Sequence, residues 1–260
     1  LLGALLGLGG GVILVPVLTL LLGVDIRYAI AASIVSVIAT SSGAAAAYVR
    51  DGITNMRIGM FLETGTTAGA VTGALVGGVL SGRVLYGLFA VVIAYCAYAM
   101  FRKRGEEAPQ ATEGDALARR LRLGGAYYDA ALGRTVEYQA TNTLPVLGLT
   151  YVAGMVSGLL GIGGGPLKVP AMDIAMRLPI KVSTATSNFM IGVTAAASAA
   201  IYLMRGQVHP AVAAPVAVGV LGGAVAGARL MGRVRGQLIR LLFSGLLAVL
   251  AVQMLLKGLG

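Results

Sequence analysis

The 260-residue sequence holds one cysteine, Cys96, and one histidine, His209. A single cysteine excludes an internal disulfide, and a single histidine argues against a histidine-based metal centre. Both are read as bundle-packing and loop residues. Charge is also scarce, at 12% of residues, where soluble domains carry about 25%. No nucleophile–base pair or His/Cys cluster offers itself for catalysis, so an enzyme is not expected. Neither of the two glycine runs supplies the Gly-Lys-Ser/Thr of a P-loop. The sixth position of a Gly-x-Gly-x-x-Gly is Val12 in one run and Pro166 in the other, which removes the dinucleotide fingerprint. No metal, nucleotide or covalent cofactor is indicated.

What the chain has in abundance is apolar surface. It is 57% hydrophobic with a mean hydropathy of +0.87. Apolar stretches such as 30–48, 69–80, 84–101, 190–204 and 241–256, some extending further through Gly and Thr, recur toward the roughly 20 residues needed to cross a hydrocarbon core. The 39 glycines suit a packed helix bundle, because small residues let backbones approach. Gly65, Gly69, Gly73 and Gly77 mark one close-packed helix face. The net charge of +10 is spread over many short loops. That pattern carries orientation information and does not suggest nucleic acid. The chain starts at Leu1 inside an apolar run, taken as a trimmed end and not as a signal peptide.

One register aligns the chain with itself. Gly7, Gly9, Gly10 and Gly11 fall on Gly161, Gly163, Gly164 and Gly165, an offset of 154 residues. The same offset carries Pro16 onto Pro170, Ser33 onto Ser187, Tyr48 onto Tyr202 and Phe89 onto Phe243. Glycine alone would match by abundance; proline, tyrosine and phenylalanine in the same frame indicate duplication. Each copy reads as a glycine run with a short apolar segment on either side (144–160 and 166–176 in copy two), then three longer segments. These lie near 27–49, 56–81 and 84–101, and again near 181–204, 210–232 and 237–257. The expected organisation is a first membrane repeat over 1–101, a linker over 102–143 and a second repeat over 144–260. The linker holds six of the ten acidic and seven of the twenty basic residues, so it is expected in solvent, with an amphipathic helix around 116–123.

Charge then orients the copies. If each glycine region forms a hairpin that leaves on the side it entered, each copy crosses an odd net number of times and the second is inverted. Arg50, Arg57, the linker cations, Arg177, Lys181, Arg229, Arg233 and Arg235 then share one side. Arg27, Arg83, Arg205 and Lys257 take the other. With Lys168 and Arg240 set aside as intramembrane, the split is 14 to 4, against 11 to 7 for parallel copies. The Lys/Arg bias favours inversion, with the linker cytoplasmic. The expected fold is therefore an all-α polytopic membrane protein. It has two inverted-topology repeats, each a glycine-broken helical hairpin plus three transmembrane helices.

The runs Gly7-Leu-Gly-Gly-Gly-Val-Ile-Leu-Val-Pro16 and Gly161-Ile-Gly-Gly-Gly-Pro-Leu-Lys-Val-Pro170 are the sharpest local signals. Each glycine costs a helix about 1 kcal/mol relative to alanine, and broken backbone at membrane depth needs protein or a water-filled cavity around it. Pro166 is placed as the first residue of a new helix, whose N-terminus offers free N–H groups and partial positive charge. Inverted repeats bring two such starts together near the midplane, a layout suited to anions. Gly9, Gly10, Gly11, Gly163, Gly164 and Gly165 are the resulting candidates for substrate binding. Lys168 joins them, because a lysine in an apolar segment is costly unless paired or hydrated; snorkelling, or pairing with Asp173, is the structural alternative.

The paired glycine–proline runs, each followed by Ala-Ala-Ser33 or Ala-Thr-Ser187 early in the next helix, resemble the TauE/SafE sulfite exporter family. The resemblance covers both halves and nearly everything but the linker. It implies a secondary transporter of small sulfur-containing anions, such as sulfite or short organosulfonates, usually moving them out of the cytoplasm. One departure between the halves stands out. Leu14 occupies in copy one the place of Lys168, so the half-sites differ chemically.

Ser33 and Ser187 fall about 12 Å along their helices at 1.5 Å per residue, near the middle of the core. Ser36, Thr186 and Asn188 lie close in sequence and offer neutral donors to sulfonate oxygens, with interhelical hydrogen bonding as the alternative. Glu63, an intramembrane carboxylate with Ala217 as its counterpart in copy two, is a candidate for proton coupling or for pairing with a cation such as Arg57. The expected partners are a small anionic substrate and membrane lipid, with homo-oligomers left open and nucleic acid excluded. The expected location is the cell's inner membrane, multi-pass. A proton- or cation-coupled carrier of another small substrate and an anion channel remain open alternatives.

Overall fold

The computed structural model describes residues 9–102, 114–231 and 236–259. Gly7, with the segment before it, lies outside these residues. So do four of the cations in the charge count, Lys103, Arg104, Arg233 and Arg235.

The first copy contributes a short helical segment, α1 (Gly11–Pro16), which widens into a π-turn over Val17–Leu21. Three long helices follow, α2 (Ile26–Arg50), α3 (Met56–Gly77) and α4 (Gly82–Arg102). The second copy contains α6 (Thr143–Leu160), α7 (Gly165–Pro170) with its π-turn Ala171–Ala175, α8 (Ile180–Met204), α9 (Pro210–Met231) and α10 (Gly236–Leu259). The 154-residue offset holds element by element. α1, α2 and α3 have the same lengths as α7, α8 and α9, and α4 and α10 start at matched positions.

Local chemistry explains the boundaries. The Asp25 carboxylate caps α2 by accepting from the Arg27 N–H at 2.9 Å, and Asn55 caps α3 by accepting from the Ile58 N–H at 3.1 Å. Such caps satisfy N–H groups that the helix itself cannot. α6 stops at Gly161, which takes the left-handed conformation at φ +67° that glycine adopts without a Cβ penalty. Asp51, like Asp25, serves a helix end and pairs with Arg50 at the surface.

The glycine face of α3 packs directly on α6. A Cβ at Gly69 or Gly73 would strike the carbonyl oxygens of Tyr151 and Met155, while one at Gly154 or Gly158 would strike those of Thr66 and Ala70. Close backbone approach of this kind drives helix association where lipid removes the hydrophobic force between helices. Hydrogen bonds then tie α8 to both ends of α3. The Asn55 N–H donates to the Thr186 hydroxyl at 3.1 Å near the start of α8. At its end, Arg205 donates to the carbonyls of Ala74 and Leu75 at 2.7 and 2.9 Å. Arg27, at the start of α2, donates to Leu80 beside that same end of α3.

Four helices among the described residues are long and apolar enough to span a bilayer: Ile26–Arg50, Thr143–Leu160, Ile180–Met204 and Pro210–Gly227. Large side chains such as Met204 and Val79 stand 89% and 83% exposed, which suits a surface facing lipid.

The connection between the copies departs from the all-α, solvent-exposed expectation. It contains α5 (Ala116–Leu121) and an antiparallel hairpin, β1 (Gly124–Asp129) with β2 (Arg134–Gln139), in which Tyr127 pairs with Val136. Tyr127, Asp129, Val136 and Tyr138 are buried. Alternate residues of a strand share one face, and here that face lies on the bundle. Asp129 shares that buried face while Arg134 and Glu137 stay exposed, so charge density alone concealed the strands. Four anchors fix the unit. Lys181 donates to Asp129 at 2.7 Å, Asn55 donates to the Tyr138 hydroxyl at 3.1 Å, Asp115 accepts from the Thr143 N–H at 2.7 Å, and Asn142 donates to the Ala175 carbonyl at 2.9 Å.

Candidate functional site

The two glycine turns meet midway along α2 and α8. A Cβ at Gly9 would lie 2.9 Å from Ile191 Cγ2 and 3.1 Å from Val37 Cγ1; one at Gly163 would lie 2.9 Å from both. Val37 and Ile191 are themselves repeat counterparts, so each glycine turn touches both. Gly11 sits tighter still, with Gly161 O 2.6 Å and Ser33 Oγ 2.8 Å from its Cβ position. The Ser33 hydroxyl donates to Gly161 O at 2.9 Å, so this serine ties one copy's central helix to the other copy's turn.

Gly9, Gly10, Gly163 and Gly164 hold φ between +68° and +84°, where any side chain is strained. Gly10 and Gly164 immediately precede the helical segments. The Leu14 N–H bonds to Gly10 O at 3.0 Å, and the Lys168 N–H to Gly164 O at 2.8 Å. The same carbonyls also accept from Ile13 N–H at 3.0 Å and Leu167 N–H at 3.1 Å, so only the N–H groups ahead of these, on Gly11, Val12 and Gly165, lack an intrahelical acceptor. Pro166 stands in the first turn of α7, where its missing N–H costs nothing.

Lys168 is fully buried. Its stem passes over the turn, with Cε 3.1 Å from the Cβ position of Gly164. Its ammonium donates to Thr194 Oγ1 at 2.6 Å and stands 3.7 Å from Glu63 Oε2. Thr194 donates onward to Glu63 Oε1 at 2.6 Å, and Thr67 donates to the same oxygen at 2.8 Å. Glu63 Oε2 is buried with no hydrogen-bond partner. The partner of Lys168 is therefore Glu63, not Asp173, and the partner of Glu63 is Lys168, not Arg57. α3 and α8 pack together, and α7 folds back beneath them, so residues from three segments converge at a depth the surface residue Arg57 does not reach.

The remaining candidates are distributed differently. Ser187 and Asn188 are buried on α8, and the Asn188 amide donates to Thr184 O one turn back at 3.1 Å. Ser36 likewise donates within its own helix, to Ala32 O at 2.9 Å. Thr194 was missed by sequence reasoning. Its only sequence signal is that it matches Thr40 at the repeat offset, a polar residue on each central helix.

The buried Lys168–Glu63 pair thus lies beside the glycine turn that opens α7. The sequence matches the family described as "Sulfite exporter TauE/SafE" over residues 1–254. The chain belongs to the TauE/SafE family. Relatives of this family member are described as probable membrane transporter proteins. YunE of Bacillus subtilis is 27% identical over 98% of this chain and 93% of its own length. A protein of Xylella fastidiosa is 30% identical over 72% of this chain and 64% of its own. YdhB of Bacillus subtilis is 26% identical over 86% and 82%. No solved structure matches. The protein is a multi-pass membrane transporter, and these descriptions point away from an enzyme.

Proposed function

We propose that this transporter moves small sulfur-containing anions, such as sulfite or short organosulfonates, out of the cell across its inner membrane, driven by ion or substrate gradients. The observation carrying this reading is the fully buried Lys168 ammonium, whose stem lies against the Gly164 turn at the start of a half-helix. A buried positive charge then lies close to the start of a half-helix, and sulfonate oxygens accept several hydrogen bonds at once. Gly9, Gly10, Gly11, Gly163 and Gly165 supply the close backbone, with Ser33 beside it and Ser187 and Asn188 buried on α8. The carrier needs no metal or nucleotide for this role.

We read the copies as inverted, with 102–143 cytoplasmic. Supporting this, α8 begins beside the start of α3 and ends beside its end, whereas α2 begins at the end of α3. The counterparts α2 and α8 then run in opposite directions, as inverted repeats require. Labelling Ala130→Cys in a Cys96→Ser background of sealed cells tests the orientation, because ready reaction with an impermeant external reagent refutes it.

Substrate class is tested on purified protein with sulfite, sulfoacetate, taurine and sulfate. Saturable binding of sulfite or a sulfonate that is lost in Lys168→Ala supports the reading. Equal binding by the Lys168→Ala protein in a monodisperse preparation removes Lys168 from it.

A further inference from the structure

We propose that the Lys168–Glu63 pair makes transport an obligate co-movement of one proton with one monoanion, the proton riding on Glu63 Oε2. This rests on the anion-site reading above and adds its stoichiometry and the charge class of its substrate.

The two charges are single-copy features. Leu14 and Ala217 hold the corresponding repeat positions, so the pair is not a by-product of duplication. In the structure described here the pair is self-neutralising. Glu63 faces Lys168 from the half-helix, Thr194 from α8 and Thr67 from its own helix. Other titratable groups on the surrounding elements have interactions of their own. On α6, Tyr151 meets Thr72 at 3.3 Å. On α8, Tyr202 donates to Gly158 O at 2.8 Å and Lys181 to Asp129. Asp173 lies five residues beyond Lys168 on the same half-helix and has an interaction of its own. Arg57 is an exposed residue in the first turn of α3. The ion pair itself joins one ammonium and one carboxylate.

An entering anion would leave this centre with one uncompensated negative charge in a water-poor interior, which is strongly unfavourable. A proton on Glu63 removes that charge. The structure leaves it a place: Oε1 already accepts from two hydroxyls, while Oε2 is buried and has no donor. The ammonium makes one hydrogen bond, to Thr194, and has two more N–H donors to offer. With Glu63 neutral, the ammonium faces the anion and the loaded centre is neutral overall. One O–H bond forms on binding and breaks on release, and proton and anion enter from the same side. A dianion would leave the loaded centre charged and is disfavoured. Direction follows the summed anion and proton gradients, so outward transport runs while the anion accumulates inside.

The test uses full-length protein in proteoliposomes with isethionate, a strong-acid monoanion that cannot itself carry a proton at working pH, and an internal pH dye. The native protein should move one proton with each isethionate. Its apparent affinity should fall about tenfold per pH unit on the alkaline side, because the two ligands assist each other reciprocally. Glu63→Gln, which mimics the protonated state, should exchange isethionate with no proton movement and a flat pH profile. Isethionate transport without protons in the native protein overturns the proposal, as does proton movement by Glu63→Gln or loss of all exchange in monodisperse Glu63→Gln. Failure of the native protein to bind or move any sulfonate or sulfite instead refutes the underlying anion-site reading.

Discussion

Replacing Lys168 with methionine removes the ammonium and keeps the stem that packs on Gly164. Glu63 then retains Thr194 and Thr67 as donors but has no opposite charge within a buried pocket where its side chain is 8% exposed. Breaking one half of a buried ion pair costs about 3–5 kcal/mol. At about 2–4 °C per kcal/mol for a chain of this size, apparent melting should drop by about 6–20 °C. Glu63→Leu strands the ammonium on Thr194 and should lose a similar amount. The double variant removes both charges and fills the space with apolar groups, which is often neutral or stabilising. It should recover to within about 1 kcal/mol of the native chain while transporting nothing. The assay is thermal aggregation in detergent micelles at fixed scan rate, since unfolding of such proteins is seldom reversible. Single losses that simply add in the double variant would show that the two groups do not interact, and the pairing at the crossing would be wrong.

Two further outcomes test the surroundings of that pair. Gly163→Ala places a methyl 2.9 Å from Val37 and from Ile191 at φ +72°, the left-handed geometry alone costing about 1–2 kcal/mol. Transport should fall at least tenfold in a monodisperse, inserted product, and normal transport by that product would show that the turns need not approach so closely. In the hairpin, burial raises the proton affinity of Asp129, but the hydrogen bond and charge of Lys181, with the Tyr127 hydroxyl and the Ala131 N–H, outweigh it and hold the carboxyl below its ordinary value of 3.8. A carboxyl depressed on folding adds stability that is complete above the unfolded value and fades as pH drops through the lower, folded one. Asp129→Asn should therefore be less stable than the native chain at neutral pH, with the gap narrowing toward about pH 3. A gap that does not change with pH would mean the charge of Asp129 contributes nothing.

The sequence by itself determined the membrane class, the duplication and the places where helices must break. These follow from composition and local covalent chemistry: apolar length, a repeat register carried by rare residue types, and glycines free to take positive φ. The glycine face of α3 was legible for the same reason, since four small residues at helical spacing leave room for only one kind of contact. Pairing was not legible. Lys168 and Glu63 lie 105 residues apart, and in a linear reading each takes its nearest opposite charge, Asp173 or Arg57. Only the packing of α3 against α8 over the returning half-helix decides that they face one another, with Thr194 between them. One clue was present, because both residues break the repeat, at Leu14 and Ala217, and a charge without a symmetric copy must find its counter-charge elsewhere. The hairpin was hidden by its composition. Alternation in Ala126–Asp129 and Thr135–Tyr138 signals strand, yet the six carboxylates and seven cations of residues 102–143 read as solvated chain. The fold turns its buried face onto the starts of α3 and α8, a surface that exists only after the helices have assembled.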